Sequence, residues 1–353
     1  MIKNILGNID FIEYLRGKSA TFLLAISNTK TINIDGITQA GLKGFIHLTP
    51  TLDAEFITIG TIRSLEEIPK TDKGVPTPAL MTRAVHILKP FKNIEILNLG
   101  LEVAPDIKYF KQYNFNIPPS NSIDKGADIN AKEVFKKGLE FGQKYNPNSD
   151  YIILAESVPA GTTTAYATAK ALGYSVDGLF SSSFKTTPNN IKEQTIKKAL
   201  NNLNQNDDIF DILGKVSDNM LIFNAGFILG LNGRVPLILA GGTQMAGVLL
   251  IVNRILEYMQ GEIDSSKLAL ATTKWVVEDK NSNLKTLLEM LNFKIDSYYL
   301  DFDFSLSKKS ILKLYDKGEA KEGVGAGASL VYGALNGLTK AQITSKVEEL
   351  LQD

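Results

Sequence analysis

The chain has 353 residues and sets 38 Lys and Arg against 38 Asp and Glu, for no net charge. That balance excludes a protein that wraps nucleic acid by bulk charge, and a hydrophobic fraction of 44% excludes a disordered chain. The absence of Cys excludes a disulfide framework, a thiolate nucleophile and a Cys-ligated metal, and two histidines are too few for a multi-His metal site.

The N-terminal stretch Met1–Lys18 carries Asp10 and Glu13 within an apolar run and reads as a short amphipathic helix, not a secretory signal. Strands are predicted at Thr21–Ser27, Phe56–Gly60 and Ile94–Leu99. His47 and His86 each sit among apolar neighbours and read as structural. Pro105–Asn130, rich in Pro, Asn and Asp, reads as a long loop, of the kind that carries ligands in parallel-sheet proteins. The predicted helix Ala131–Tyr145 has Gly138 and Gly142 four residues apart, which allows close backbone packing. A strand at Tyr151–Ala155 is followed by a helix over Thr162–Leu172, closed by Gly173. The next helix, Pro188–Leu203, takes Thr187 as its N-cap and Pro188 as its first residue. Lys192 falls on its apolar side, an odd place for a purely solvated lysine. Further strands are predicted at Met220–Phe223, Pro236–Ala240, Leu268–Ala271 and Tyr298–Phe302. Thr339 and Gln342 form a capping-box pattern that opens the last helix.

Residues 235–253 are nineteen uncharged positions in a row, near the length of a membrane span. Gly241, Gly242, Thr243 and Gln244 interrupt them, so they read as a buried strand, a turn and a buried helix. A soluble, cytoplasmic protein is therefore expected. Strands alternating with helices predict an α/β fold: a doubly wound, mostly parallel Rossmann-like sheet with helices on both faces. The expected organisation is a large domain over residues 18–305. Residues 1–17 and 306–353 are expected to form a smaller helical lobe that carries Glu322.

Three turns hold candidate chemistry. In the first, the strand ending at Glu156 runs through Ser157-Val158-Pro159-Ala160 into Gly161-Thr162-Thr163-Thr164. Free N–H groups at the start of a helix favour an anion, so this turn reads as a phosphate cradle with Glu156 above it for sugar hydroxyls. The second, Gly241-Gly242-Thr243, is again strand–turn–helix and allows close approach of a ligand. The third, Glu322-Gly323-Val324-Gly325-Ala326-Gly327, resembles a dinucleotide fingerprint but follows a charged segment and lacks the βαβ unit that such a site needs. What it offers is a carboxylate among Gly, Ala and Val, with Lys321 as its nearest cation. Desolvation there raises its basicity, which suits a general base; the plainer role is an acid on the helix dipole. The chain has no Walker-type loop and no G-x-S-x-G elbow.

Together these motifs, in order and spacing, resemble the nicotinate-nucleotide–dimethylbenzimidazole phosphoribosyltransferases of cobamide assembly, in a divergent archaeal-type branch. Ala155–Ala165 is similar to that family's G-E-M-G-I-G-N-T-T-A segment, Val235–Thr243 to its I-P-V-x-V-D-G-F segment, and Ala320–Ala328 to its L-G-E-G-x-G-A-A hallmark. Gly74-Val75-Pro76-Thr77-Pro78 resembles the family's G-V-S-x-Y-P segment. The resemblance implies phosphoribosyl transfer from nicotinate mononucleotide to a benzimidazole-type or purine base, giving an α-ribazole phosphate and nicotinate. It implies Glu322 as the catalytic base. Glu156, Gly161, Thr162, Thr163, Lys192, Gly241, Gly242, Gly323 and Gly325 would hold phosphate and ribose, and Val75, Pro76, Thr77 and Arg83 would line the base pocket. It implies a homodimer, with no cofactor and no metal, and the charge balance and the interrupted apolar stretch lead to the expectation of no nucleic-acid or membrane partner. The sequence departs from the pattern where Thr162 or Thr163 replaces Asn, where Ser157-Val158-Pro159 alters the loop and where Pro76 replaces a serine. Two other readings stand beside it: a transferase that uses phosphoribosyl pyrophosphate, and a non-catalytic phosphosugar- or nucleotide-binding protein.

Overall fold

Buried β-branched and aliphatic runs form the centre of one sheet. The computed structural model of the chain describes residues 1–65, 74–184 and 190–351. Among these, the strands are β1 (Ile2–Leu6), β2 (Ala20–Ile26), β3 (Asn93–Asn98), β4 (Lys111–Asn114), β5 (Tyr151–Ser157), β6 (Leu237–Ala240), β7 (Leu268–Thr273) and β8 (Asp296–Leu300). They pair in the order β1-β8-β7-β6-β5-β2-β3-β4. Every pairing is parallel except that of β1, which runs antiparallel to β8 with Ile2 opposite Leu300.

The helices are α1 (Asp10–Tyr14), α2 (Thr49–Ile59), α3 (Ala79–Leu88), α4 (Ala131–Lys144), α5 (Gly161–Ala171), α6 (Ile191–Leu200), α7 (Ile209–Val216), α8 (Asn219–Leu231), α9 (Thr243–Met259), α10 (Lys274–Val277), α11 (Leu284–Glu289), α12 (Ala326–Leu335) and α13 (Lys340–Leu350). Alternation along the strands divides the core in two. Leu23, Ala25, Ile152 and Leu154 pack with α4, α5, α7, α8, α9 and α11. Phe22, Leu24, Ile26, Ile153 and Ala155 pack with α1, α2, α3, α12 and α13 on the opposite face. This is the doubly wound arrangement that the alternation of elements predicts.

Four expectations need correction. Phe56–Gly60 is the end of α2, not a strand, and Met220–Phe223 lies inside α8. The N-terminal stretch begins as β1 before the short helix α1, and the expected loop over Pro105–Asn130 contains the edge strand β4. The proposed cap at Thr187 and Pro188 lies outside the described residues. Residues 235–253 divide into β6 and α9 as expected, and among the described residues no helix is long and apolar enough to cross a membrane.

The order of the strands positions the site. From β2 the chain winds outward to β3 and β4, then returns to β5 on the other side of β2 and winds outward through β6, β7 and β8. At such a reversal the loops beyond the strand ends diverge and leave a crevice, the usual ligand site of an open α/β sheet. Ile26 and Ser157 stand opposite each other at this point.

Candidate active site

A cleft of about 970 Å³, counting its open mouth, lies at the carboxyl ends of β5, β6 and β7. Glu156 reaches it from the end of β5. Its Oε2 accepts from the Val158 N–H at 3.1 Å, and burial, with the nearby Glu322 carboxyl adding to it, pushes the group up to about 8. Glu322 reaches the cleft from the loop before α12. Its Oε2 accepts from the Thr273 N–H at 2.8 Å and the Thr272 hydroxyl at 3.1 Å, both at the end of β7. Its Oε1 accepts from the N–H groups of Gly327 at 3.1 Å and Gly323 at 3.2 Å. Burial raises this carboxyl to about 7 against the pull of those four donors.

The Glu322 loop is tied to the strand that carries Glu156, because the Val324 N–H donates to the Glu156 carbonyl at 3.0 Å. Holding it there takes unusual backbone. Ala320 and Val324 lie at φ of 46° and 52°, as Gly325 does at 69°. A β-branched residue in that region is a real outlier, and such strain concentrates at functional sites. Gly325 is required for space as well: a Cβ there would meet Ala155 at 2.8 Å and the Phe22 ring at 2.9 Å.

Of the residues singled out in the sequence, Glu156, Gly161, Thr162, Gly242, Glu322, Gly323, Val75, Pro76 and Thr77 line the cleft together. Thr163, Gly241, Gly325, Lys192 and Arg83 do not. In the first turn three of the N–H groups expected to be free are engaged: Gly161 donates to the Val158 carbonyl, and Thr163 and Thr164 donate to that of Ala160. The Thr164 hydroxyl donates to Asp218 at 2.5 Å. Lys192 is 4% exposed, donates to the Ser181 carbonyl at 2.6 Å and is lowered by burial to about 7. The Arg83 guanidinium donates to the carbonyls of Ile57 and Thr58, where it closes the end of α2. Lys321 does not pair with Glu322. Its ammonium meets Asp279 at 3.1 Å and donates to the carbonyls of Ser182 and Phe184. His86 accepts from the Phe91 N–H and stacks on the Phe91 ring, a structural role.

The structure adds residues that sequence reading missed. Asp53, Gln39, Ser181, Ser182, Ser183 and Gln244 all line the cleft. Asp53 accepts from Ser157 and Thr77 and is raised by burial to about 6. Gln244 lies across Gly161, where a Cβ would stand 2.1 Å from its Nε2, and that nitrogen has no hydrogen-bond partner among the described residues. The only local signal for Gln244 was its place beside the second glycine turn. For Asp53 and the three serines there was none.

No family model matches the sequence. A UPF0284 protein of Saccharolobus solfataricus is 36% identical over 343 residues, covering 95% of this chain and 93% of the relative. Another, from Sulfurisphaera tokodaii, is 33% identical over 355 residues, covering 99% and 97%. The chain belongs to the UPF0284 family. Among solved structures, the UPF0284 fold is similar to a nicotinate-nucleotide–dimethylbenzimidazole phosphoribosyltransferase from Thermus thermophilus, with a TM-score of 0.59 at 14% identity, covering 94% of this chain and 83% of that one. It is also similar to CobT of the same organism, with a TM-score of 0.62 at 13% identity, covering 98% and 92%. At that identity the likeness concerns the fold, and it agrees with the resemblance carried by the three motifs.

Proposed function

We propose that this chain transfers the phosphoribosyl group of nicotinate mononucleotide to a nitrogenous heterocycle. The observation that carries the reading is Glu322: a carboxyl held by two donors at the end of β7 and two from its own loop and the start of α12, raised by burial to about 7, and facing the same cleft as Glu156. A base poised near neutrality suits removal of an azole proton. In the reaction the incoming ring nitrogen forms a bond to C1 of the ribose. The bond from C1 to the pyridinium nitrogen breaks, and its electron pair stays with nicotinate. The azole proton passes to Glu322. Attack opposite the leaving group inverts β to α. Glu156 is assigned to ribose hydroxyls, and the Thr162 N–H at the start of α5 to the phosphate. Lys192 is assigned a role behind the cleft lining, through the Ser181 carbonyl, rather than contact with phosphate. Cobamide lower-ligand assembly is the setting that fits this product.

The test is to incubate the protein with nicotinate mononucleotide and a panel of benzimidazoles and purines and to follow free nicotinate by chromatography. Base-dependent release is the expected result; no release with any base refutes the reading. Glu322→Gln should lower turnover by roughly two orders of magnitude and abolish the rise of rate with pH through about 7. Its affinity for nicotinate mononucleotide should stay within a few-fold. Near-normal turnover would remove Glu322 from the role.

A further inference from the structure

The cleft has a polar wall that the reaction above leaves unused. Asp53, on α2, is 2% exposed. Its Oδ2 accepts from the Ser157 hydroxyl at 2.7 Å and its Oδ1 from the Thr77 hydroxyl at 2.9 Å. All three residues line the cleft. An ionised carboxylate only accepts, and each hydroxyl has one hydrogen. Both hydrogens are therefore engaged by Asp53. Thr77 also accepts from the Ala79 N–H at 3.3 Å. What Ser157 and Thr77 still offer to a ligand is lone pairs. A buried wall of acceptors is satisfied by a donor and left unpaired by a methyl group.

The wall stands next to the loop that carries Glu322. Pro78 is the nearest side chain to Gly323, 3.7 Å from where a Cβ would lie, and the Thr82 hydroxyl donates to the Val324 carbonyl at 2.7 Å. The segment Val75–Thr77 and the Glu322–Val324 loop thus bound one end of the cleft from two sides. A bicyclic base that gives its azole proton to Glu322 has a second ring to place in that end.

Resting on the phosphoribosyl-transfer reading, we infer that Asp53 is a specificity-determining positioning residue. It commits Ser157 and Thr77 to accept hydrogen bonds, so that the cleft favours an acceptor base with an N–H donor on its second ring over a methyl-substituted base of the same size. An aminopurine or an amino-substituted benzimidazole has that chemistry. The ribose hydroxyls of the nucleotide are the other donors within the reaction, and the experiment separates the two.

The full chain is assayed with nicotinate mononucleotide and a matched pair of benzimidazoles, one amino- and one methyl-substituted at the same carbon. The amino compound should be favoured about tenfold or more in kcat/KM. Thr77→Val and Ser157→Ala should bring the ratio towards one, with the KM for nicotinate mononucleotide changed less than twofold. Thr77→Ser, which keeps the hydroxyl, should retain the preference. Asp53→Asn should also reduce it, because the amide can no longer accept from both hydroxyls. Equal use of the two bases, or a preference that survives Thr77→Val and Ser157→Ala, overturns the inference. So does a raised nucleotide KM with an unchanged base preference, which would assign the hydroxyls to ribose. If no base releases nicotinate, the transfer reading itself fails. Calorimetric titration of the two bases then still tests the wall, and equal affinities would overturn it.

Discussion

Glu156 shows how much one side chain concentrates. Buried at the end of β5 with one hydrogen bond among the described residues, from Val158, its carboxyl is raised from the ordinary 4.5 to about 8 by burial first and by Glu322 second. The sign of the linkage follows. Between those two values the folded protein binds this proton more tightly than the unfolded chain does. The stability that the proton contributes is complete below about 4.5 and is lost as pH rises through about 8. Glu156→Gln removes the titration and keeps an oxygen for the Val158 N–H. Its melting temperature relative to the parent should therefore climb between pH 5 and pH 8.5, by on the order of a few degrees, in parallel thermal melts. A flat difference would show that Glu156 ionises freely. Glu156 and Glu322 were legible as carboxylates that each open a small-residue turn. Asp53 was not, because its partners Thr77 and Ser157 lie 24 and 104 residues away and nothing in its own helix marks it.

Elements were legible where periodicity and burial agree. The central strands β2, β5, β6 and β7 are buried along their whole length and read as continuous apolar runs. The misreadings have physical causes. α8 is buried nearly all round, so its sequence has no polar face to reveal a helical period, and Met220–Phe223 passes for a strand. β4, Lys-Gln-Tyr-Asn, is an edge strand, paired among the described strands with β3; Tyr113 alone is half-buried against the core and its other three residues are exposed, so it has no apolar run and reads as loop. The glycine spacing in α4 was the more informative signal. A Cβ at Gly138 would stand 2.1 Å from the Phe223 carbonyl oxygen and one at Gly142 2.4 Å from that of Phe227, while Gly226 and Gly230 of α8 face back towards Phe135 and Leu139 of α4. The two helices touch backbone to backbone. Gly138→Ala forces them apart and should cost about 1–3 kcal/mol in denaturant titrations. These helices cover one face of the sheet and do not line the cleft, so turnover per folded molecule should be unchanged.

At the scale of the whole molecule, the site is an assembly of parts far apart in the chain. Strand ends supply Glu156 and two of the donors to Glu322, while residues 320–327 bring Glu322 itself and its other two donors. A buried ion pair closes the assembly. The side chains of Lys321 and Asp279 are 5% and 3% exposed and lie 3.1 Å apart. Lys321 also donates to the carbonyls of Ser182 and Phe184, and Asp279 accepts from the Ser181 hydroxyl at 2.8 Å. The pair therefore joins the Glu322 loop to residues 181–184, of which Ser181, Ser182 and Ser183 line the cleft. The sequence offered Lys321 only as a cation for its neighbour, since a partner 42 positions away leaves no local trace. Stability and position can be separated here. Breaking a buried pair from one side strands a charge and costs about 3–5 kcal/mol, whereas replacing both partners with apolar groups of similar volume is often neutral. Asp279→Leu alone should thus lower the denaturation midpoint strongly, and Asp279→Leu with Lys321→Met should recover most of it. The double variant still lacks the hydrogen bonds that Lys321 and Asp279 make with Ser181, Ser182 and Phe184. If those bonds set the distance across the cleft, nicotinate release should remain impaired in the double variant at restored stability. Full recovery of both would reduce the pair to a structural fastening.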